Sequence, residues 1–328
     1  MPVKIESVTP RSPAAKAGIK AGETLVAING NPINDSLDYG FYTFDPVLSF
    51  ELDTRTVTVK KKDDYDEIGL NFETYLMDKK QTCRNKCIFC FIDQLPKGMR
   101  ETLYFKDDDS RLSFLQGNYI TLTNMSDADI DRIIRMKLNV NVSVHTTNPE
   151  LRVKMLNNKN AGKVLDYIPR MAENGIVMSC QIVLCKGWND GDELRRTLSD
   201  LTALYPEVQS IAVVPFGASK FRDGLTQIEM HDKQSALEAI RIIEEFGDKL
   251  EAEHGCEVLC VAADGADEAA ILALKAGCDM ILMPEDFELA YQGVLAAVQN
   301  GTISEERIND SLRRIYRIKY ADKLEITE

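Results

Sequence analysis

Eight cysteines are spread along this 328-residue chain, and three crowd into one short run, Cys83-x3-Cys87-x2-Cys90. Thiolate is the ligating form of cysteine, and three so close in sequence curl around one compact metal centre from a single loop. Two kinds of centre suit such a set. Three-cysteine ligation of an iron–sulfur cube leaves its fourth iron without a protein ligand and open to a small molecule. A zinc site instead needs a distant histidine to complete a Cys3His set. Only His145, His231 and His254 are present, none at a finger-like spacing from the cysteines, so an iron–sulfur cluster is the expected centre.

Other residues bear chemistry nearby. Lys106, Asp107, Asp108, Asp109 and Arg111 form a dense charged run just after the cysteines. Such runs are commonly solvated loop faces, but this one is also suited to shaping the mouth of a site, with Lys106, Asp108 and Arg111 as catalytic candidates. His145 lies in an apolar strand between Val144 and Thr146, either as a proton-transfer group or as part of the wall. Cys180, Cys185, Cys256, Cys260 and Cys278 mostly lie in apolar strands, where thiols pack as small hydrophobes. Cys256 and Cys260 would stand ~13 Å apart on a strand, too far to share a metal.

The elements that must position these groups fall into three stretches. Residues 1–77 read as a β-rich module: KIESV as a strand, SPAAKAGIKAG as a short helix closed by Gly22, and LVAING turning at Asn29–Gly30. RTVTVKKK alternates as a half-buried strand does. Residues 78–263 alternate strands with helices. YITLTN, NVNVSVHTT, IVMSCQIVLC, VQSIAVVPFG and CEVLCVAA are the expected strands, with helices near 149–174, 191–204 and 231–254. Ser126 and Asp129 cap a helix carrying Ile130, Ile133, Ile134 and Leu138 on one face. Such alternation argues for parallel βα units, a barrel or part of one. Residues 264–328 read as a helical tail, with Phe287, Ala290, Tyr291, Val294, Leu295 and Val298 making one stripe and Ile308, Leu312 and Ile315 continuing it.

Three resemblances follow from these blocks. SPAAKAGIKAGETLVAINGNPI resembles a PDZ domain. That likeness implies a peptide or protein C-terminus as partner, its carboxylate held by Gly69–Phe72 in a circularly permuted arrangement. The cysteine motif, with Phe89 before the last cysteine, resembles the radical S-adenosylmethionine (radical SAM) signature. The longer block CRNKCIFCFIDQLPKGMRETLYFKDDDSRLSFLQGNYITLTN, with VSVHTTNPELRVKMLNN, QIVLCKGWNDGDELRRTLSDL and SIAVVPFGASKFR, is similar to one bacterial family. Its members fuse a PDZ domain to a radical SAM core and a C-terminal domain of unknown function (type 512).

The likeness implies a 4Fe–4S cluster on Cys83, Cys87 and Cys90, S-adenosylmethionine on the open iron, and a 5′-deoxyadenosyl radical acting on an unknown substrate. Leu122-Thr123-Asn124 stands where many members carry Gly-Gly-Glu, which makes Thr123 and Asn124 the cofactor-binding candidates. KGWNDGDE resembles the turn ending a middle barrel strand, which adds Asn189 and Asp190.

From about residue 265 the chain instead resembles the end of the barrel of family 3 glycoside hydrolases, β-N-acetylhexosaminidase type. Asp264 is the only residue near the expected nucleophile position, and the hydrolase's histidine loop is missing, so glycosidase activity is not expected. The fold class expected is therefore α/β: a PDZ-like β-rich module, a partial parallel (β/α) barrel of radical SAM type, and a helical tail. Two alternatives remain: a non-catalytic PDZ scaffold with a vestigial cluster, and a glycoside hydrolase fragment.

Charge and patterning bound the rest. A net charge of −13 disfavours nucleic acid as a partner. No run of apolar residues reaches membrane-spanning length, and no signal-peptide pattern opens the chain, so no membrane partner is expected. Clustered thiols without an export signal imply a reducing compartment, the cytoplasm.

Overall fold

The computed structural model describes residues 2–63, 66–254, 274 and 287–319. The chain divides into two compact units, Met1–Thr82 and Cys83–Glu328.

In the first unit, β1 (Val3–Val8) leads to α1 (Pro13–Lys16), β2 (Thr24–Ile28), β3 (Asn31–Pro32), α2 (Ser36–Tyr42), β4 (Val47–Leu52), β5 (Thr56–Lys60) and β6 (Leu70–Phe72). The sheet runs in the order β5-β4-β2-β1-β6, with β3 hung on β2 and every pairing antiparallel. Alternation places its core. Leu48, Phe50 and Leu52 of β4 point inward with Ile5, Leu25, Ile28 and Val59. The Asn29–Gly30 turn has φ of 51° and 77° at its two residues, as a tight hairpin requires. The helix after β1 is shorter than its sequence suggests. Ser12 caps it by accepting the Ala15 N–H, and it closes at Gly18 (φ 76°), leaving Gly22 to turn the chain into β2.

The second unit carries α3 (Ser110–Gln116), α4 (Asp127–Met136), β7 (Val140–Ser143), α5 (Pro149–Leu156), α6 (Tyr167–Glu173), β8 (Met178–Leu184), α7 (Gly191–Thr202), β9 (Val208–Pro215) and α8 (Lys233–His254). Strands β7, β8 and β9 form a parallel sheet in that order, with Val142 opposite Cys180 and Cys180 opposite Ile211. Its core gathers Val140, Val142, Met178, Cys180 and Ile182, all fully buried, with Leu194 and Leu198 of α7 and Ile130 and Ile133 of α4. The capping box at α4 forms as its sequence indicates: Ser126 N–H donates to Asp129 while Ser126 Oγ accepts the Asp129 N–H.

The stretch YITLTN is not a strand. Only Ile120 bridges to Val142, because the Thr121 N–H is spent on the Asp108 carboxylate and Leu122 turns at φ 64°. The expected helix near 149–174 is likewise broken, since Asn157 ends α5 in the left-handed conformation. The expected strand CEVLCVAA, Asp264, Cys256, Cys260 and Cys278 lie outside the described residues. Met280–Met283, an apolar run whose sequence suits a strand beside that one, also lie outside them.

In the tail, α9 (Phe287–Gln299) and α10 (Glu305–Lys319) meet through Ala297, Ile303, Val294, Val298 and Ile308, together with Leu274. The stripe is rotated from the face read in sequence. Ala297 is buried, whereas Tyr291, Leu295 and Leu312 stay exposed. No helix among the described residues is long and apolar enough to cross a membrane.

Candidate metal centre

The cysteine loop has no regular structure of its own and is held by its backbone. Cys83 N–H donates to the Lys106 carbonyl at 2.8 Å, Lys86 N–H to Leu156 at 3.0 Å and Ile88 N–H to Met155 at 2.9 Å. Beneath it lies an apolar floor. Ile88 packs with Met155, Leu156, Ala161, Cys185 and Phe216, and Cys87, Phe89 and Trp188 close around them. Cys185 directly follows β8 and Phe216 directly follows β9, so the loop is seated at the C-terminal edge of the parallel sheet. Open α/β sheets place their ligands at that edge.

Two side chains, Gln94 just after the loop and Arg222, tie the loop to the segment after β9. Gln94 donates to the Gly217 carbonyl at 3.0 Å and accepts the Ser219 N–H at 2.9 Å. Arg222 donates to the Ile88 carbonyl at 3.1 Å while its guanidinium lies over the Phe216 ring.

Cys83, Cys87 and Cys90 are free thiols, each partly buried. Burial raises the Cys87 thiol far above its usual range, and the charges of Cys83, Cys90 and Asp108 raise it further, against a lowering by Lys106. Cys83 is raised by burial and by Asp108, with Asn85 acting in the opposite sense. Charge on Cys83 and Cys90 thus opposes ionisation of Cys87. Thiolates in that arrangement need a cation, and a bound iron centre supplies one. The donor set fits a cluster. Three partly buried cysteines on one loop are the donor chemistry an iron–sulfur cluster takes. Among the described residues, no group of three or more His, Cys, Asp or Glu side chains is already placed to hold a metal ion.

Behind Cys83 lies a polar network. Asp108 accepts the Thr121 N–H and the Thr121 hydroxyl, both at 2.7 Å. Thr123 Oγ1 lies 2.8 Å from Thr121 Oγ1 and donates to Asn85 Oδ1 at 3.1 Å. Asn158 donates to the same Asn85 oxygen at 2.7 Å, and Asn124 Nδ2 lies 3.4 Å from the Asp108 carbonyl. Burial pushes the Asp108 carboxyl up to about 6, partly offset by the hydrogen bonds from Thr121. Arg152 reaches into the same region from α5 with none of its surface exposed. It donates to the carbonyls of Thr121, Ser143, Val144 and Ala161 at 2.6–2.9 Å.

The remaining expected site residues are placed as follows. Lys106 pairs with Asp93 at 2.6 Å and faces the charges of Cys90 and Cys83. Arg111 is buried against Asp109, with two contacts of 2.9 and 2.6 Å. His145 is buried at φ 64°; its Nδ1 accepts the Val183 N–H at 3.2 Å and its ring lies 4.5 Å from Phe89. Burial, with Arg152 nearby, drives it down to about 3, so it is neutral at ordinary pH. Asn189 donates to the carbonyls of His145 and Val183 and accepts the Cys185 N–H at 2.7 Å. Asp190 accepts the Gly187 N–H at 2.9 Å. The structure therefore brings Lys106, Asp108, Thr123 and Asn124 together with the cysteines. Asn189 and Asp190 brace the turn after β8.

Sequence reasoning passed over Asn85, Thr121, Arg152, Gln94 and Arg222. Asn85 sat in plain view between two cysteines. Arg152 reads as an ordinary solvated helix position, and no sequence signal distinguishes it.

A family model described as a Radical SAM-like domain matches residues 62–211. A PDZ domain model matches residues 4–42, and a model of the glycosyl hydrolase family 3 N-terminal domain matches residues 246–318. No curated protein matches the chain in sequence. Among solved structures, similarity extends to a domain of a pyruvate-formate lyase-activating enzyme from Bacteroides vulgatus ATCC 8482. That match has 14% identity and TM-score 0.33, covering 44% of this chain and 83% of that one. A radical SAM methyltransferase from Sphaerobacter thermophilus matches at 20% identity and TM-score 0.29, covering 42% of this chain and 38% of that one. Streptococcus suis SuiB bound to S-adenosylmethionine matches at 12% identity and TM-score 0.33, covering 56% of this chain and 49% of that one.

Proposed function

We propose that this chain is a radical SAM enzyme in which Cys83, Cys87 and Cys90 hold a 4Fe–4S cluster and S-adenosylmethionine occupies the open iron. One observation carries the reading: three partly buried cysteines on a loop seated at the C-terminal edge of a parallel sheet, inside the region that matches the Radical SAM-like model. When bound, the cluster supplies the electron that splits the sulfonium C–S bond into methionine and a 5′-deoxyadenosyl radical.

The protein's own residues orient and exclude water. Thr123 and Asn124 offer polar contacts beside Cys83 for the amino and carboxylate groups of the cofactor. Lys106 places a positive charge beside the thiolates, held there by Asp93. Asp108 anchors the Thr121 turn and is the group best placed to exchange a proton near neutral pH. By sequence, Arg111 is a catalytic candidate at the mouth of the site and His145 a proton-transfer candidate. Their side chains are engaged by Asp109 and by Val183 with Phe89, so both receive positioning roles, as does Asn189.

The first unit serves as a docking module for the C-terminus of a peptide or protein. Support comes from the PDZ match and from β6, whose one partner strand among the described residues is β1, with Gly69 at φ 83° just before it. A peptide strand adding to the open side of β6 would meet that turn. The five free thiols described are consistent with residence in a reducing cytoplasm. The tail takes no part in the chemistry.

Anaerobic reconstitution tests the reading. The expected product holds about four iron and four sulfide per chain, loses both in Cys87→Ala, and releases 5′-deoxyadenosine from S-adenosylmethionine under reducing conditions. Stoichiometric zinc without sulfide overturns it. A cluster that never yields 5′-deoxyadenosine supports the scaffold alternative instead.

A further inference from the structure

Asn85 is almost wholly buried, 3% exposed, between two of the cysteines, and every polar atom of its side chain is directed. Its oxygen accepts from Thr123 and Asn158. Its amide nitrogen donates to Thr121 Oγ1 at 2.9 Å and to the Cys83 sulfur at 3.4 Å. The network leaves the amide no second orientation. Asn158 Oδ1 accepts the Asn160 N–H, so Asn158 Nδ2 faces Asn85 and holds Asn85 Oδ1 as the acceptor; Asn85 Nδ2 then gives one of its two hydrogens to Thr121 Oγ1. The other is thereby aimed at Cys83. The Asn85 backbone N–H faces the same sulfur.

Resting on the cluster reading above, we propose that Asn85 is a positioning residue that sets the cluster's reduction potential through an N–H···S bond to Cys83, with Thr121 and Asp108 fixing the direction of that bond. A hydrogen bond to a ligating sulfur withdraws charge from it, and charge on the sulfurs is greatest in the reduced cluster. Each such bond therefore favours reduction. The one-electron step itself is supplied from outside the protein, by dithionite in the test.

The test is an anaerobic redox titration of the reconstituted full chain, followed by electron paramagnetic resonance. Wild type is compared with Asn85→Ala and Thr121→Val. At the wild-type midpoint, the ratio of reduced to oxidised cluster should fall about threefold or more in Asn85→Ala, where tenfold corresponds to ~59 mV for one electron. Thr121→Val should move in the same direction by less, since it frees the amide without removing it. Should Asn85→Ala hold no iron, the Thr121→Val potential alone decides. Intact clusters with unchanged potentials overturn this proposal while leaving the cluster reading in place. A wild-type protein without iron and sulfide overturns both, and the metal analysis distinguishes the two failures.

Discussion

Asp108 accepts both the backbone N–H and the side-chain hydroxyl of Thr121, each at 2.7 Å. This pair stops YITLTN from becoming a strand and turns Thr121, Thr123 and Asn124 toward the cysteine loop. A carboxylate from a charged run thus decides the path of an apolar segment.

The carboxyl of Asp108 is raised by burial to about 6 from an ordinary 3.8. The native state therefore binds more protons than the unfolded chain between these values. The stabilisation from this group is present below pH 4 and is lost as pH rises through 6, at up to ~1.4 kcal/mol per pH unit. Asp108→Asn keeps a carbonyl for the Thr121 N–H and removes the titration. In the metal-free protein, the variant's stability relative to wild type should improve between pH 4 and 7, read from urea midpoints. A difference independent of pH contradicts the assignment.

Arg152 donates to four carbonyls, and losing it removes a hydrogen bond from each, with only the Val144 carbonyl keeping the Thr146 N–H among the described contacts. Arg152→Met should cost at least ~3–5 kcal/mol, because each orphaned buried acceptor carries its own desolvation penalty. Arg170 pairs with Asp127 and Asp131 at the surface, and Arg170→Ala should cost under ~1 kcal/mol. Chemical denaturation of both variants is the comparison. Equal effects would show that the Arg152 bonds contribute little.

Gly69 has φ 83°, and a methyl group there would stand 2.3 Å from Ser12 Cβ. Gly69→Ala should destabilise the first unit by ~2–4 kcal/mol, from the left-handed backbone and the clash together. Hydrogen exchange in the full chain should quicken at β1 and β6. Adding Ser12→Gly should restore part of the protection, since it removes the clash but not the backbone strain. Unchanged exchange in Gly69→Ala would refute the account.

The cysteine spacing, the alternation of the first unit's strands, the Asn29–Gly30 turn and the Ser126–Asp129 capping box were all legible in order along the chain. Each rests on residues a few positions apart, whose chemistry acts locally. The three parallel strands were legible too, because β-branched runs bounded by helices admit few other arrangements. The partners of those local pieces were not. Whether Arg152 faces solvent or four carbonyls depends on where α5 lands against residues 121, 143, 144 and 161. His145 and Asn189 read as a proton carrier and a cofactor contact, yet tertiary packing spent their polar atoms on backbone groups. Asn85 was visible from the outset, but its bond to Cys83 exists only because Thr121 and Asp108, far along the chain, fix its amide. Spacing along the chain thus marks the candidate ligands, while the surroundings of those cysteines come from long-range contacts, which depend on the folded path and not on sequence neighbours.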